Sequence, residues 1–257
     1  MPESDLALLT EAALQAGHIA RGFWRQAPQV WEKPGLGPVT EADLAVNTHL
    51  RGVLRAARPD YGWLSEEDPD DTERLHAGRV FVLDPIDGTR AFIAGEESFA
   101  ISIAVIEDGL PVTALVYLPA RDRLYTATAH GPALCDGQPI QASTRAGLEG
   151  ATLLATSPTM APDHWPGGVP EVKRSFRASL AYRMCLVAEG RYDAMLTLRP
   201  AWEWDIAAGA LIAARAGAVV TDRQGHALQF NNPHPQSDGV IAAPLGLHSA
   251  LRAGLDG

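Results

Sequence analysis

An apolar run that leads into two carboxylates is the feature that most constrains this fold. Residues 79–83 predict a buried strand, and Asp84-Pro85-Ile86-Asp87-Gly88-Thr89 follows at once. We expect the strand to stop in this Pro/Gly turn. Mg²⁺ prefers carboxylate oxygens and takes phosphate as a further ligand, and main-chain amides beside a glycine can bind phosphate. The same residues form ordinary tight turns, so taken alone the segment is more often a turn than a metal site.

The size and charge of the chain limit its classes of function. Its 257 residues are 46% hydrophobic, which suits one large domain or two tightly joined halves. A turn-rich segment over residues 136–148 predicts a division into halves 1–140 and 141–257. The net charge of −10 argues against a nucleic acid polymer or an anionic membrane as partner. A small anionic substrate stays open, because bound cations can invert the local field.

Cysteine and histidine usage exclude other kinds of site. Cys135 and Cys185 lie far apart and are expected to be reduced, partly buried thiols. The eight histidines show no HxxxH or HExxH spacing, which disfavours a zinc enzyme. The acidic start lacks the basic region of a secretory signal, and no apolar stretch reaches membrane-spanning length, so we expect a cytoplasmic protein. It could be a monomer or a homodimer.

Hydrophobic periodicity predicts an α/β (α+β) fold in which helices flank a mixed sheet. Helices are expected over residues 4–24, 41–54, 180–189 and 205–216. Strands are expected over residues 61–64, 79–83, 98–106, 111–117, 123–128, 152–155, 192–198 and 218–221. The segment from Pro28 to Pro38 is rich in proline and glycine and predicts a mobile loop.

Several acids stand where strands end or helices begin, and each has a local explanation. Asp43 follows Thr40 at the spacing of a capping box, and Asp205 could cap the Ala-rich helix after it. Glu66-Glu67-Asp68 could be a solvated loop. Brought together by folding, however, these acids would repel one another unless a shared cation offset their charge. The combination therefore favours a metal centre.

Four segments are similar, in order and spacing, to the motifs of the inositol monophosphatase superfamily of Mg²⁺-dependent, Li⁺-sensitive phosphatases. They are Pro38-Val39-Thr40-Glu41-Ala42-Asp43, Leu64-Ser65-Glu66-Glu67-Asp68-Pro69, Asp84-Pro85-Ile86-Asp87-Gly88-Thr89 and Glu203-Trp204-Asp205-Ile206-Ala207-Ala208-Gly209. The resemblance covers nearly the whole chain and implies the layered α-β-α-β-α sandwich of the sugar and inositol phosphatases. It also implies that residues 1–140 carry most metal ligands and that residues 141–257 complete the metal and substrate site.

The resemblance implies two or three Mg²⁺ ions at one site. The ligands implied for the first ion are Glu66, Asp84 and the main-chain carbonyl of Ile86. Asp84 would bridge to a second ion held with Asp87 and Asp205, and a third, weaker ion would lean on Glu66 through waters. In such a site one metal acidifies the attacking water while another stabilises the leaving oxygen.

The same resemblance implies further catalytic and substrate-binding roles. Thr89, hydrogen-bonded to Asp43, would help activate the attacking water, with Glu66 as the third catalytic residue. The amides of Gly88 and Thr89 would hold the phosphate at a helix N-terminus. Lys33 matches a family lysine that approaches the site, although a solvated loop lysine explains it equally well.

Within the superfamily, the closest resemblance is to bacterial 3'(2'),5'-bisphosphate nucleotidases, which remove the 3'-phosphate of adenosine 3',5'-bisphosphate. The residues that carry it include Asp87-Gly88-Thr89-Arg90-Ala91-Phe92-Ile93 and Cys185-Leu186-Val187-Ala188-Glu189-Gly190. Where that group usually has a serine pair and a lysine, this chain has Ser179-Leu180-Ala181-Tyr182-Arg183.

This departure leaves the phosphorylated substrate open. Arg183 and Arg199 would bind a second phosphate as bidentate donors, with Asp205 also at the substrate, unless both arginines are surface residues. Myo-inositol monophosphate is the runner-up substrate, followed by fructose 1,6-bisphosphate, NADP and histidinol phosphate. A non-catalytic phosphate-binding protein is the alternative from another functional class.

Overall fold

The computed structural model describes residues 4–35 and 37–256. These residues form six α-helices: α1 (Asp5–Phe23), α2 (Glu41–Ala57), α3 (Thr89–Ile93), α4 (Leu180–Ala188), α5 (Glu203–Arg215) and α6 (Leu245–Asp256). Short 3₁₀ helices span Thr72–His76, Pro158–Met160 and Pro162–His164. No helix in the described part of the chain is long and apolar enough to cross a lipid bilayer.

The described residues also form sixteen strands in four sheets. The strands are β1 (Val30–Lys33), β2 (Gly37–Thr40), β3 (Gly62–Ser65), β4 (Arg79–Asp87), β5 (Ala100–Glu107), β6 (Leu110–Leu118), β7 (Arg123–Thr128), β8 (Leu134–Cys135), β9 (Gln138–Pro139), β10 (Thr152–Leu154), β11 (Lys173–Ser175), β12 (Ala194–Thr197), β13 (Ala201–Trp202), β14 (Val219–Thr221), β15 (Gln236–Ser237) and β16 (Val240–Ala243). The largest sheet has the order β3-β4-β5-β6-β7-β8-β9, and a five-stranded sheet has the order β11-β10-β12-β16-β14. β1 pairs with β2, and β13 pairs with β15.

The two large sheets alternate with layers of helices. α1 and α2 pack on one face of the seven-stranded sheet, and α4 and α5 pack on the other. α4 and α5 also contact the five-stranded sheet, whose far face is covered by α6. The order helix, sheet, helix, sheet, helix confirms the α/β (α+β) class and the α-β-α-β-α sandwich.

The apolar run of β4 is continuous because both faces of its sheet are covered. Val80 and Val82 belong to the core shared with α4 and α5. Phe81 and Leu83 belong to the core beneath α1 and α2. Neighbouring side chains on a strand point to opposite faces, so every position in the run must be apolar.

The prediction that this strand ends at Leu83 was wrong, because β4 continues through the acidic motif to Asp87. Asp84 pairs with Ser102 of β5, and Asp87 pairs with Ala100, so β4 accommodates one extra residue. Such a bulge changes the direction in which side chains point. The two acids are therefore held by the ladder of a central strand rather than by a free turn.

The segment from Pro28 to Pro38, predicted as a loop, instead forms an antiparallel hairpin. Val30 pairs with Thr40, and Lys33 pairs with Gly37. Gly35 lies in the connection with a φ of +79°, whereas Gly37 and Pro38 belong to β2 itself. Residues 30–33 and 37–40 form this two-stranded ladder although the segment is dense in turn residues.

The other predicted elements are present, with ends shifted by up to three residues. Residues 226–257 had no predicted element, yet they contain β15, β16 and α6. β16 is a run of four apolar residues, too short for its periodicity to distinguish strand from helix. Neither Cys135 nor Cys185 forms a disulfide, and both are buried.

Candidate active site

Three carboxylates converge at one end of the seven-stranded sheet. Glu66 directly follows β3 and Asp84 lies in β4; these strands are parallel neighbours, so both acids emerge at the same end. Asp205 lies in the first turn of α5, which packs across β4 and β5. One carboxylate oxygen of each residue lies within 4.8 Å of those of the other two. The side chains come from three separate segments of the chain.

Electrostatics in this cluster favour a bound cation. Burial, followed by the charges of Glu66, Asp87 and Asp205, raises the pKa of Asp84 well above its ordinary value. Burial and the charges of Asp87 and Glu66 do the same to the pKa of Asp205. Buried, mutually repelling carboxylates are a poor arrangement by themselves but suit a hard divalent cation with oxygen ligands. The donor set therefore fits Mg²⁺.

The local backbone at the bulge fixes Asp84 and the predicted carbonyl ligand. Asp84 Oδ1 accepts a hydrogen bond from the amide of Ile86 (2.9 Å). The carbonyl oxygen of Ile86 lies 3.2 Å from Thr89 Oγ1. The bulged backbone thus links the acid, the carbonyl and the hydroxyl of the motif in one small unit.

Asp87 stands apart from the three clustered acids and anchors α4. Its Oδ2 accepts hydrogen bonds from Ser179 Oγ (2.6 Å) and the Ala181 amide (2.7 Å), and its Oδ1 accepts from the Leu180 amide (3.3 Å). Burial raises the pKa of Asp87 to about 6 against the opposing effect of these hydrogen bonds. Asp87 also lines the cavity described below. Ser179, which also caps α4 through the Tyr182 amide (2.9 Å), was not predicted as a site residue.

A buried chain of hydrogen bonds joins the end of β4 to α2. Thr89 Oγ1 lies 3.2 Å from Asp43 Oδ1, and Thr40 donates to Asp43 Oδ2 from its amide (2.8 Å) and its hydroxyl (2.5 Å). The capping box of α2 is present as expected. Asp43 therefore caps the helix and holds the Thr89 hydroxyl at the same time. Burial raises the pKa of Asp43 to about 6.

A glycine is required between Asp87 and Thr89. Gly88 has a φ of +97°, a region that other residues rarely adopt. A Cβ at this position would lie 3.2 Å from the Ser98 carbonyl oxygen and 3.3 Å from the Ser179 amide nitrogen. The close approach of three chain segments here explains the residue type. α3 begins immediately afterwards, at Thr89.

Lys33 is paired rather than solvated. The β1–β2 hairpin places its Nζ 2.9 Å from Glu66 Oε1 and 2.7 Å from Glu67 Oε1. The Glu67 side chain is only 2% exposed, and burial raises its pKa to about 7. Glu67 was treated in the sequence as part of an acidic loop. Its pairing could not be foreseen, because it depends on the unpredicted hairpin.

One cavity of about 700 Å³ collects most of the predicted site residues. Its walls include Glu66, Asp84, Asp87, Gly88, Thr89, Arg183, Arg199 and Asp205. Asp43, Lys33 and Ile86 adjoin it through the hydrogen bonds given above. Arg90, His164 and Phe176 also line the cavity and were not predicted. A volume of this size is typical of small-molecule sites, about 300–1,000 Å³.

The two predicted arginines have different environments. Arg183 is only 2% exposed, which excludes a surface role, and its Nε donates to the Arg177 carbonyl (2.6 Å). Burial lowers its pKa to about 10, while the charge of Asp87 opposes this shift. Arg199 is exposed on the connection between β12 and β13 but lines the same cavity. Positive charge therefore stands beside the acid cluster.

Comparison with known proteins finds similarity over most of the chain. Residues 1–255 match the model of the inositol monophosphatase family. The chain is 34% identical over 204 residues to 3'(2'),5'-bisphosphate nucleotidase CysQ of Escherichia coli strain K12. This alignment covers 78% of this chain and 82% of that protein. It is 33% identical over 237 residues to inositol-1-monophosphatase of Rhizobium meliloti, which covers 86% of each chain.

Solved structures show the same fold. An inositol monophosphatase of Thermotoga maritima superimposes with a TM-score of 0.86 at 26% identity, over 98% of this chain and 96% of that one. One from Zymomonas mobilis gives a TM-score of 0.81 at 29% identity, over 98% and 97%.

Proposed function

Since the chain belongs to the inositol monophosphatase family and is therefore a phosphatase, we propose that it hydrolyses a small phosphomonoester with Mg²⁺ bound at the acid cluster. The observation that carries the proposal is the convergence of Glu66, Asp84 and Asp205 within 4.8 Å beside the Thr89 hydroxyl in one cavity. A purely structural role would leave this buried repulsion uncompensated.

We propose two sets of metal ligands. Glu66, Asp84 and the Ile86 carbonyl would hold one ion, while Asp84, Asp87 and Asp205 would hold another. A third ion, bound more weakly, would contact Glu66 through water molecules. When bound, Mg²⁺ would make the attacking water more acidic and would stabilise the negative charge on the leaving oxygen. Phosphomonoester hydrolysis needs both effects.

The chain's own residues would position the reactants. The Thr89 hydroxyl, held by Asp43 at 3.2 Å, would orient the attacking water, and the Asp43 carboxylate would receive a proton through it. Glu66, whose carboxylate lies in the same acid cluster, would be the third catalytic residue. The amides of Gly88 and Thr89 would bind the phosphate oxygens.

We propose a nucleoside 3',5'-bisphosphate as the substrate, with inositol monophosphate as the alternative. Arg183 and Arg199 line the cavity and would complement a second phosphate, which inositol monophosphate lacks. The similarity to a 3'(2'),5'-bisphosphate nucleotidase at 34% identity supports this choice. The similarity to an inositol-1-monophosphatase at 33% identity over a larger share of the chain supports the alternative.

A substrate panel tests the proposal. Phosphate release would be measured with purified protein and Mg²⁺ on adenosine 3',5'-bisphosphate, myo-inositol 1-phosphate, fructose 1,6-bisphosphate, NADP and histidinol phosphate, with EDTA as the control. We expect the highest kcat/KM for the nucleotide and no release in EDTA. A higher value for inositol phosphate would overturn the substrate. Binding without release from any compound would favour a non-catalytic phosphate-binding protein.

A further inference from the structure

An aromatic side chain is exposed on the wall of the active-site cavity. Phe176 lies between β11 and α4, lines the cavity and is 48% exposed. Phenylalanine is usually buried because its exposed ring gains nothing from contact with water. Pro158 and Leu198 line the same cavity and add apolar surface. The cavity wall therefore contains both charged groups and a partly exposed aromatic ring.

The ring of Phe176 is held in place by Arg183. The guanidinium carbon lies 4.6 Å from the ring centroid, which is the geometry of a cation–π contact. Arg183 is itself fixed by hydrogen bonds to the carbonyls of Arg177 (2.6 Å) and Ala178 (3.4 Å). A buried, hydrogen-bonded guanidinium thus covers part of the ring and restrains it.

Phe176 lines the same cavity as the acids at which the phosphate is proposed to react. It precedes Ser179 by three residues, so their Cα atoms lie within about 11 Å of each other. Ser179 Oγ donates to Asp87 Oδ2 at 2.6 Å. The charge of Asp87 also acts on Arg183, which supports the ring. One short segment therefore links the acid site to the exposed ring.

We propose that Phe176 is a specificity-determining residue on which the base of a nucleotide substrate stacks, with Arg183 as the residue that positions the ring. This inference rests on the proposed phosphatase function and selects a nucleotide among its substrates. Every nucleobase presents a flat π-face to an aromatic side chain, whereas an inositol or sugar ring presents hydroxyl groups. Stacking would anchor the base while the reacting phosphate lies at the acids.

The first test compares a bisphosphate that carries a nucleobase with one that has none. Phe176→Ala and Phe176→Leu remove the ring, Phe176→Trp keeps an aromatic face, and Leu245→Ala alters an exposed residue that does not line the cavity. KM and kcat would be measured for adenosine 3',5'-bisphosphate and for fructose 1,6-bisphosphate. Circular dichroism would confirm that each variant is folded.

We expect Phe176→Ala and Phe176→Leu to raise KM for the nucleotide by about 10-fold or more, as stacking of one base predicts. The KM for fructose 1,6-bisphosphate would change much less, and kcat for the nucleotide would hold, since stacking is the same in the ground and transition states. Phe176→Trp would restore the nucleotide KM. An equal change in both KM values, or no change in either, would overturn the proposal.

The second test does not depend on turnover. Isothermal titration calorimetry would measure binding of adenosine 5'-monophosphate, the product of the proposed reaction, to the wild type and to Phe176→Ala with Mg²⁺ present. Weaker binding by the variant supports the stacking surface even if the wild type releases no phosphate from the nucleotide. Equal binding by both, or no binding by the wild type, contradicts it. Failure of the phosphatase proposal and failure of this one are thereby separated.

Discussion

At Asp205, burial and neighbouring charge act in the same direction. Both raise its pKa, and both therefore make its ionised form costly in the metal-free protein. We expect Asp205→Asn to leave the Tm of the metal-free protein unchanged or higher, because the substitution removes one of the repelling charges at nearly constant size. It should also abolish most of the Tm increase that Mg²⁺ gives the wild type.

The same variant should lose more than about 100-fold in kcat/KM, since changes to groups that merely support metal ligands already cost 10–100-fold. Differential scanning fluorimetry with EDTA and with Mg²⁺ would measure the Tm of each protein with and without the metal. Steady-state phosphate release would measure kcat/KM. Asp60→Asn, at an exposed acid, is the matched control. A normal Mg²⁺ shift in Asp205→Asn would exclude this residue as a metal ligand.

Proton uptake on folding should make the free energy of unfolding of the metal-free protein depend on pH. Burial raises the pKa of Asp43 to about 6 and that of Glu67 to about 7. Each carboxyl holds its proton more tightly in the folded protein than in the unfolded chain. Their contribution to the free energy of unfolding is therefore full below their ordinary pKa values and is lost as pH rises through about 6 to 7.

Urea unfolding in EDTA between pH 5 and pH 8 would measure this loss. Glu67→Gln should show a smaller fall than the wild type, because it removes one of the titrating groups. Parallel curves for the two proteins would show that Glu67 does not take up a proton on folding.

At the scale of elements, the β1–β2 hairpin is coupled to the acid cluster through a single lysine. Lys33 Nζ is within 2.9 Å of Glu66 and 2.7 Å of Glu67, so its ammonium competes with a cation for Glu66. We expect Lys33→Met to tighten Mg²⁺ binding by about five-fold, the equivalent of about 1 kcal/mol for a partly buried ion pair. Isothermal titration calorimetry would measure the Kd.

The sequence offers a matched control for this prediction. Lys173 on β11 is the other lysine of the chain and is exposed. Lys173→Met should leave the Kd of Mg²⁺ unchanged, and Lys33→Arg should keep it near the wild-type value. Weaker Mg²⁺ binding by Lys33→Met would mean that the lysine orders Glu66 rather than competing for it.

The hairpin also shows where the sequence was insufficient. The central strand, its acids and the capping box at Thr40 follow from local patterns, namely apolar runs and residue spacing. The pairing of Lys33 with Glu67 joins residues 34 apart and depends on a hairpin hidden among turn residues. The orientation of Phe176 depends on Arg183, seven residues later in the next helix. Contacts between elements set by packing cannot be read from local periodicity.

At the scale of the whole molecule, one hydrophobic core extends across the expected division into halves 1–140 and 141–257. The seven-stranded sheet lies in the first half and the five-stranded sheet in the second. One hydrophobic cluster nevertheless contains Val82 and Val116 of the first sheet together with Met195 and Ala242 of the second. α4 and α5 contact both sheets, so neither half can cover its inner face alone.

We therefore expect the two halves to unfold together although the chain is longer than most two-state proteins. Hydrogen–deuterium exchange by mass spectrometry, along a urea series in EDTA, would follow peptides from β5 and β6 and peptides from β16 and α6. Both groups should lose protection at the same urea concentration, and saturating Mg²⁺ should shift both midpoints upward equally, since Asp205 of the second half joins acids of the first. Loss of protection in β16 and α6 at a clearly lower urea concentration would show that the halves are independent folding units. In that case Mg²⁺ should narrow the gap between the two midpoints, because the ion would bind only when both halves are folded.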